Sequence, residues 1–271
     1  MNELFSENEV VRVQRETQKY RSAFHNWTAR IRYITASALR LTLRALQTHR
    51  ARRDRLRILD YGFGHGNALF SFGPRHELHG VDLSPQAVQL AEEKARRLGY
   101  RRFCFKVPPA DDSLALDYAD DFFDVIICSH TIEHVHDDLR LLREFHRIVR
   151  PNGVAIVVAP LDVHDRNDVL GASERLNPAF GNGGSFHVRL YNIETLISLA
   201  EESGFRVESA EEADAINEAR LRLPRFLQVL SSVLLCASPY IVWKLFDSFA
   251  KQHGYNSWQA VLVLKKGAVD A

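Results

Sequence analysis

From Leu56 onward the chain alternates short apolar, β-branched runs with helical stretches, and no other feature restricts its fold as much. Arg57–Tyr61, Leu78–Asp82, Phe103–Val107, Phe123–Cys128 and Val154–Ala159 read as strands. Ser84, with Pro85 behind it, opens a helix reaching about Leu98. Asp137–Val149 reads as a second helix, stopped by Pro151-Asn152-Gly153. Asn192–Ser203 is a third, followed by Gly204, a sixth strand over Phe205–Ser209 and a last one over Trp258–Leu264. Neighbouring strands joined through a helix pair in parallel, because the crossover returns the chain to the end it started from. The predicted class is therefore α/β, with a doubly wound, seven-stranded, mostly parallel sheet. Phe123–Cys128 (FDVIIC) is apolar enough to be covered on both faces. Ligands of such sheets bind at the carboxyl ends of the strands.

The 271 residues suffice for one large domain with additions. Residues 1–50 read as a helical cap: a weaker helix over about Glu7–Tyr20, then a long amphipathic one from Phe24 to near Gln47. Residues 51–271 form the main domain, with 160–190 and 210–257 as additions on the substrate side. Net charge is only +1, but residues 1–57 hold 13 Lys/Arg against 5 Asp/Glu. That basic arm suits an anionic partner such as a phosphate, a membrane surface or RNA, or it is a solvated helix face. Cys104, Cys128 and Cys236 show no pairing or metal-ligand spacing. Cys104 and Cys128 lie in apolar strand runs as small hydrophobes, which favours a reducing, cytoplasmic setting. MNELFSENEVV lacks the apolar core of a secretory signal. Phe226–Trp243 is 18 residues without a charge, yet Pro239 breaks it, so it reads as two apolar helices rather than a membrane span.

The sharpest local signal follows the first strand, in Asp60-Tyr61-Gly62-Phe63-Gly64-His65-Gly66-Asn67. Glycines at alternate positions let backbone approach a ligand closely, and a helix start beyond them offers unpaired N–H groups. A dinucleotide fingerprint GxGxxG begun at Gly62 would need glycine where Asn67 stands, which disfavours an NAD-dependent oxidoreductase. Asp60 places a carboxylate at the strand end, suited to a cation rather than a pyrophosphate. Asp82 ends the second strand, where a carboxylate can accept both ribose hydroxyls, with Leu83 beside it. Asp111-Asp112 follow the third strand, where a carboxylate can accept from an adenine amino group. The stretch Asp111–Asp124 holds six Asp, so a solvated acidic loop competes for that evidence.

ILDYGFGHG (from Ile58), HGVDLSP (from His79), DDSLALDYADDFFDVIICSHTIEHV (from Asp111) and LREFHRIVRPNGVAIVVAP (from Leu142) resemble the successive motifs of class I S-adenosylmethionine-dependent methyltransferases. The resemblance covers about Arg57 to Ser209 and the last strand. It implies the Rossmann-like methyltransferase fold, the last strand inserted antiparallel beside the sixth, and S-adenosylmethionine as cofactor. It implies that Asp60, Gly62 and Gly64 contact the methionine part, Asp82 the ribose, and Asp111 or Asp112 the adenine side, with Gly66 and Leu83 also among the cofactor-binding residues. Ser129 would border the donor methyl. Asp124 lies about two residues further than usual from the adenine-side acid, so the choice between Asp111 and Asp112 stays open.

After the fourth strand come His130, Glu133 and His134. Methyl transfer chiefly aligns nucleophile, methyl and sulfur, but an oxygen acceptor of high pKa also needs a base, and these three are the candidates. His130, Glu133 and His134 with His187 also resemble the metal site of small-RNA 2′-O-methyltransferases. Those carry a glutamate where His130 stands, so no metal is assigned. His187, Arg189 and Tyr191 resemble the segment that in small-molecule methyltransferases precedes the late helix, and are expected to hold an acceptor carboxylate or phosphate. Apolar residues of Leu221–Phe249 suit a lipid pocket, a core, a dimer face or a peripheral membrane contact. The expected activity is methyl transfer to a small-molecule acceptor, on oxygen, the acceptor lipid-like, quinone-like or a glycan. The alternatives are a catalytically inactive S-adenosylmethionine-binding protein and an RNA 2′-O-methyltransferase using the basic arm.

Overall fold

The computed structural model describes residues 55–109, 114–161, 191–213, 240–255 and 257–267, with residues 44, 189, 215, 216, 219, 223, 224, 227, 230 and 231. The expected helix over 7–20, the one over 24–47 apart from Arg44, Asp111, Asp112, His187 and most of the two additions lie outside them.

Seven strands form one sheet: β1 (Arg57–Tyr61), β2 (Glu77–Val81), β3 (Phe103–Lys106), β4 (Phe123–Ser129), β5 (Val149–Pro160), β6 (Arg206–Ala213) and β7 (Gln259–Lys265). Their spatial order is β3-β2-β1-β4-β5-β7-β6. The first five pair in parallel, and β7 lies antiparallel between β5 and β6. This is the expected class, including the inverted last strand. The strand order reverses between β1 and β4, and such a switch point opens a crevice at the strands' carboxyl ends.

The residues explain the layers. Every residue from Phe123 to Cys128 is buried, because helices or turns cover both faces of this central strand. Leu59, Tyr61, Ile126 and Cys128 face one apolar cluster, with α2 (Asp138–Ile148) packed against it through Leu141, Leu142 and Phe145. Ile58, Val125 and Ile127 face the other, with Ala87, Ala91 and Ala95 of α1 (Pro85–Arg97). Each fully buried Leu, Ile or Phe contributes about 1.5–3 kcal/mol relative to exposure. Ser84 caps α1 by accepting the Ala87 N–H at 3.2 Å. Asp137 caps α2 in the same way, from Arg140. Asn192 and Thr195 form a capping box at the start of α3 (Ile193–Glu202).

Three expectations need correction. Pro151-Asn152-Gly153 does not terminate α2. That helix ends at Ile148, and β5 starts at once, with Val149 opposite Phe123. The Pro-Asn-Gly segment is the irregularity before pairing resumes at Val125–Val154, and Asn152 turns it at φ +61°. No α-helix follows the glycine loop directly: a three-residue 3-10 turn, Leu69–Ser71, stands there, so the argument from a helix terminus does not apply. Cys104 is exposed on the edge strand β3, whereas Cys128 is buried as expected.

Glu212 of β6 pairs with Ala260 of β7, Ala213 with Gln259, and Gln259 also with Pro160 at the carboxyl end of β5. The connection between β6 and β7 therefore leaves and returns at the carboxyl rim. Within it lies α4 (Tyr240–Gln252). Leu245, Phe246 and Phe249 of α4 are exposed. No helix among the described residues is long and apolar enough to cross a membrane.

Candidate active site

The register sets the ends of β1, β2 and β4 flush: Tyr61 pairs with both Val81 and Cys128. The chain leaves β1 as the glycine loop, β2 at Asp82 and β4 at Ser129–His130, all on one rim. The Gly62 N–H donates to the Val81 carbonyl at 2.7 Å, and the Gly64 N–H to Asp82 Oδ2 at 2.7 Å. Asp82 Oδ1 accepts from the Ser84 N–H at 2.9 Å. The loop and Asp82, expected to share one ligand, thus form a single hydrogen-bonded unit, with Leu83 part-exposed between two buried neighbours.

Two glycines are required here for different reasons. Gly62 has φ +74°, and a Cβ on it would fall 2.1 Å from Thr131 Oγ1, so the β4 loop presses directly on it. Gly64 has φ +49°, and a Cβ there would meet nothing within 4 Å: its free side faces open space. At Gly66 a Cβ would run into the Phe70 ring. The loop is therefore closed against protein on both flanks and open at its middle.

Buried carboxylates surround it. Asp60 is 3% exposed, and its carboxyl is pushed up to about 8. Burial is the main cause and the Asp82 charge adds to it, against a hydrogen bond from the Leu69 backbone. Burial also raises Asp82, opposed by the N–H groups of Ser84 and Gly64. Glu133, on the short turn Ile132–His134, is 1% exposed. Burial pushes its carboxyl up, but the hydrogen bond and charge of His130, joined by His134, outweigh that and leave it below its ordinary value. Glu133 Oε1 lies 3.7 Å from His130 Nδ1 and 3.9 Å from His134 Nε2, and Oε2 has no hydrogen-bond partner among the described residues. Cys128 ties the two halves of the rim together. Burial first, then the charges of Glu133 and Asp60, hold its thiol well above the ordinary range. Among the described residues no lysine or arginine pairs with Asp60, Asp82 or Glu133. The rim favours a cation.

His130 sits at φ +53°, uncommon for a residue with a Cβ and held here by its N–H donating to the Val158 carbonyl at 2.9 Å. Ser129 is part-exposed at the end of β4. His130, Glu133, His134 and Ser129 thus lie on the same rim as the glycine loop. Arg189 and Tyr191, expected to hold an acceptor, are both engaged with protein groups. The Tyr191 hydroxyl and Arg189 Nη1 both donate to Asp138 Oδ2 at 2.7 Å, and Arg189 Nη2 donates to the His136 carbonyl. Tyr191 is buried, and its hydroxyl serves Asp138. No three His, Cys, Asp or Glu side chains among the described residues group as metal ligands.

The sequence reading passed over two residues. Thr131 backs Gly62, and Asp138 gathers Arg189 and Tyr191; their side-chain types carry no signal, and Asp138 read only as part of a helix begun at Asp137. A groove of about 670 Å³ between Leu114–Asp117 and α2, lined by Arg140, Arg143 and Arg147, contains none of the rim residues. Two of those arginines are already held by acids, Arg147 by Asp120 and Glu144 and Arg143 by Glu202.

Comparison with known proteins agrees with this geometry. The family model described as a methyltransferase domain matches residues 16–210. The "uncharacterized methyltransferase YcgJ" of Bacillus subtilis is 31% identical over 103 residues, 38% of this chain and 40% of that protein. Its crystal structure superposes with a TM-score of 0.54 at 18% identity, covering 85% of this chain and 98% of that one. Ajmaline N-methyltransferase of Rauvolfia serpentina is 27% identical over 124 residues, 45% of this chain and 40% of that protein. The phosphoethanolamine N-methyltransferase 2 of Haemonchus contortus, solved in complex with S-adenosyl-L-methionine, shares the fold with a TM-score of 0.54. Its identity is 18%, with 84% of this chain and 52% of that one covered. The chain spans about 40% of the length of these first curated relatives. With the family model covering most of the chain, and the glycine loop, Asp82 and the inverted seventh strand all in place, the chain belongs to the class I S-adenosylmethionine-dependent methyltransferases.

Proposed function

We propose that the protein transfers a methyl group from S-adenosylmethionine to oxygen of a small-molecule acceptor that is lipid-like, quinone-like or a glycan. One observation carries the donor side. Asp60, Asp82 and Glu133 are buried on one rim without a lysine or arginine partner among the described residues, beside a glycine loop open at Gly64. A buried carboxylate without a cation is costly, and an ammonium and a sulfonium relieve that cost. Asp60, Gly62, Gly64 and Gly66 would hold the methionine part, Asp82 and Leu83 the ribose, Asp111 or Asp112 the adenine side, and Ser129 would border the methyl. The donor, when bound, supplies a methyl group on a positively charged sulfur.

On the acceptor side, His134 or His130 takes the hydroxyl proton as the oxygen–carbon bond forms. Glu133 steadies the imidazolium, as its 3.7 and 3.9 Å approaches to both rings suggest. A base of this kind contributes roughly 10²–10⁴-fold. No metal takes part, so activity should survive chelation.

The test uses S-adenosylmethionine labelled in the methyl group and an acceptor panel: a polyprenylated quinol, a simple phenol, a free sugar, phosphoethanolamine and RNA. Turnover of a hydroxyl acceptor, lost in His134→Gln with donor affinity kept, is the expected result. Fastest turnover on phosphoethanolamine would move the reaction to nitrogen. Salt-sensitive RNA methylation would establish the RNA reading, and donor binding without transfer to any acceptor the inactive one.

A further inference from the structure

We propose that Asp138 is a positioning residue for methyl transfer. In this reading it latches the segment at Arg189–Tyr191 to the turn that carries Glu133 and His134. The inference rests on the proposed role of that turn and gives Asp138, Arg189 and Tyr191 the part of holding it in place.

Asp138 opens α2 immediately after the turn, and it is only 4% exposed. A carboxylate so placed needs several donors. Oδ2 accepts from Arg189 Nη1 and from the Tyr191 hydroxyl, both at 2.7 Å, and Oδ1 from the Leu139 N–H at 2.9 Å. The second arm of Arg189 reaches back to the His136 carbonyl at 2.5 Å, so one guanidinium spans the two residues on either side of Asp137. The Tyr191 hydroxyl also lies 3.4 Å from the Ile132 carbonyl, at the first residue of the turn. Tyr191 bridges Leu161 in parallel, just beyond β5, so the chain departing after Leu161 returns beside it. The side chains of Arg189 and Tyr191 therefore converge on residues 132, 136 and 138.

The chemistry of the turn makes this useful. Glu133 holds two imidazoles at 3.7 and 3.9 Å, and a displacement of about 1 Å at such a site costs roughly 10²-fold in rate. The turn has only three residues and its N-cap Thr131 makes no side-chain capping bond, so its placement comes from outside. Ile132 and the following Val135, both fully buried in the core, supply part of it, and Asp138, Arg189 and Tyr191 supply the rest.

The experiment compares histidine ring signals by NMR in the full chain carrying ¹⁵N-histidine, for wild type, Tyr191→Phe, Arg189→Gln and Asp138→Asn. His134→Gln identifies the His134 signals. The expected result is displacement of the His134 signals beyond their line width, in the same sense in all three variants. His146, packed on Phe205 toward the other end of α2, stays in place. Tyr191→Phe changes no charge, so its effect cannot be one of field. Opposite displacements in Asp138→Asn and Arg189→Gln with none in Tyr191→Phe would reduce the latch to electrostatics and overturn the proposal. So would wild-type signals in folded variants whose Tm has merely fallen. If Asp138→Asn does not fold, the other two variants decide. Calorimetry with S-adenosylmethionine runs in parallel, and Tyr191→Phe should bind it as wild type does. A wild-type chain that binds none would refute the proposed function while the NMR comparison still judges the latch.

Discussion

At the amino rim of the sheet Asp124 is buried, with Oδ1 on Arg150 Nε at 2.5 Å and Oδ2 accepting the Arg57 N–H at 2.8 Å. It knots the starts of β1, β4 and β5. At the carboxyl rim Asp60 and Asp82 are buried just as deeply, but their donors are backbone N–H groups, and the Asp82 charge adds to the cost of ionising Asp60. The same side chain therefore serves stability at one rim and withholds it at the other. A fold can afford two under-neutralised acids at its open rim because the closed rim, the buried β4 and the helices on both faces hold the sheet.

Substitutions can break this contrast, and the largest effect belongs to the amino rim. Asp124→Ala should cost about 3–5 kcal/mol in urea unfolding, because it strands Arg150 and an N–H of β1; a loss below about 1 kcal/mol would show the knot to be idle. Next, Asp60→Asn should weaken S-adenosylmethionine binding by roughly 10–100-fold in calorimetry, about 1.4–2.7 kcal/mol, while leaving unfolding stability level or higher. Equal losses at both rims would end the comparison.

The pH dependence sharpens it. Asp60 in the folded chain titrates at about 8, against an ordinary value of 3.8, so the folded state holds a proton that the unfolded state has released. Stability from this group is complete below about 4 and is lost as pH rises toward 8, by up to about 1.4 kcal/mol per pH unit. A cationic donor should expel that proton, so affinity should climb with pH up to about 8 and then level off. Calorimetry in buffers of different ionisation heat would read the released proton, and its absence would mean that Asp60 is already ionised. The smallest effect is that of Gly64→Ala, about 1–2 kcal/mol of backbone strain at φ +49° with no clash. Gly62→Ala, which must displace Thr131, should cost more.

Much of this was legible in the residues. β1, the capped α1 and the capped α3 follow from apolar runs and from Ser84, Pro85 and Asn192, all local signals. The nearness of the glycine loop to Asp82 followed from placing both at strand ends. What failed was set by pairing rather than by local pattern. Pro151-Asn152-Gly153 looks like a helix stop, but its place is decided by Phe123 and Val125 across the sheet. Cys104 looks buried in an apolar run, but β3 is an edge strand. The link of Arg189 and Tyr191 to Asp138 was hidden for the same reason: it spans 51 and 53 positions, with nothing in the sequence to join them.

The inverted direction of β7 has a practical corollary. Because Ala213 and Gln259 are neighbours on the same rim as the glycine loop, everything strung between them can be exchanged as a cassette without rerouting a strand. We propose that this stretch helps choose the acceptor; grafting the equivalent stretch from another family member should then change turnover across the acceptor panel while calorimetry finds S-adenosylmethionine binding unchanged.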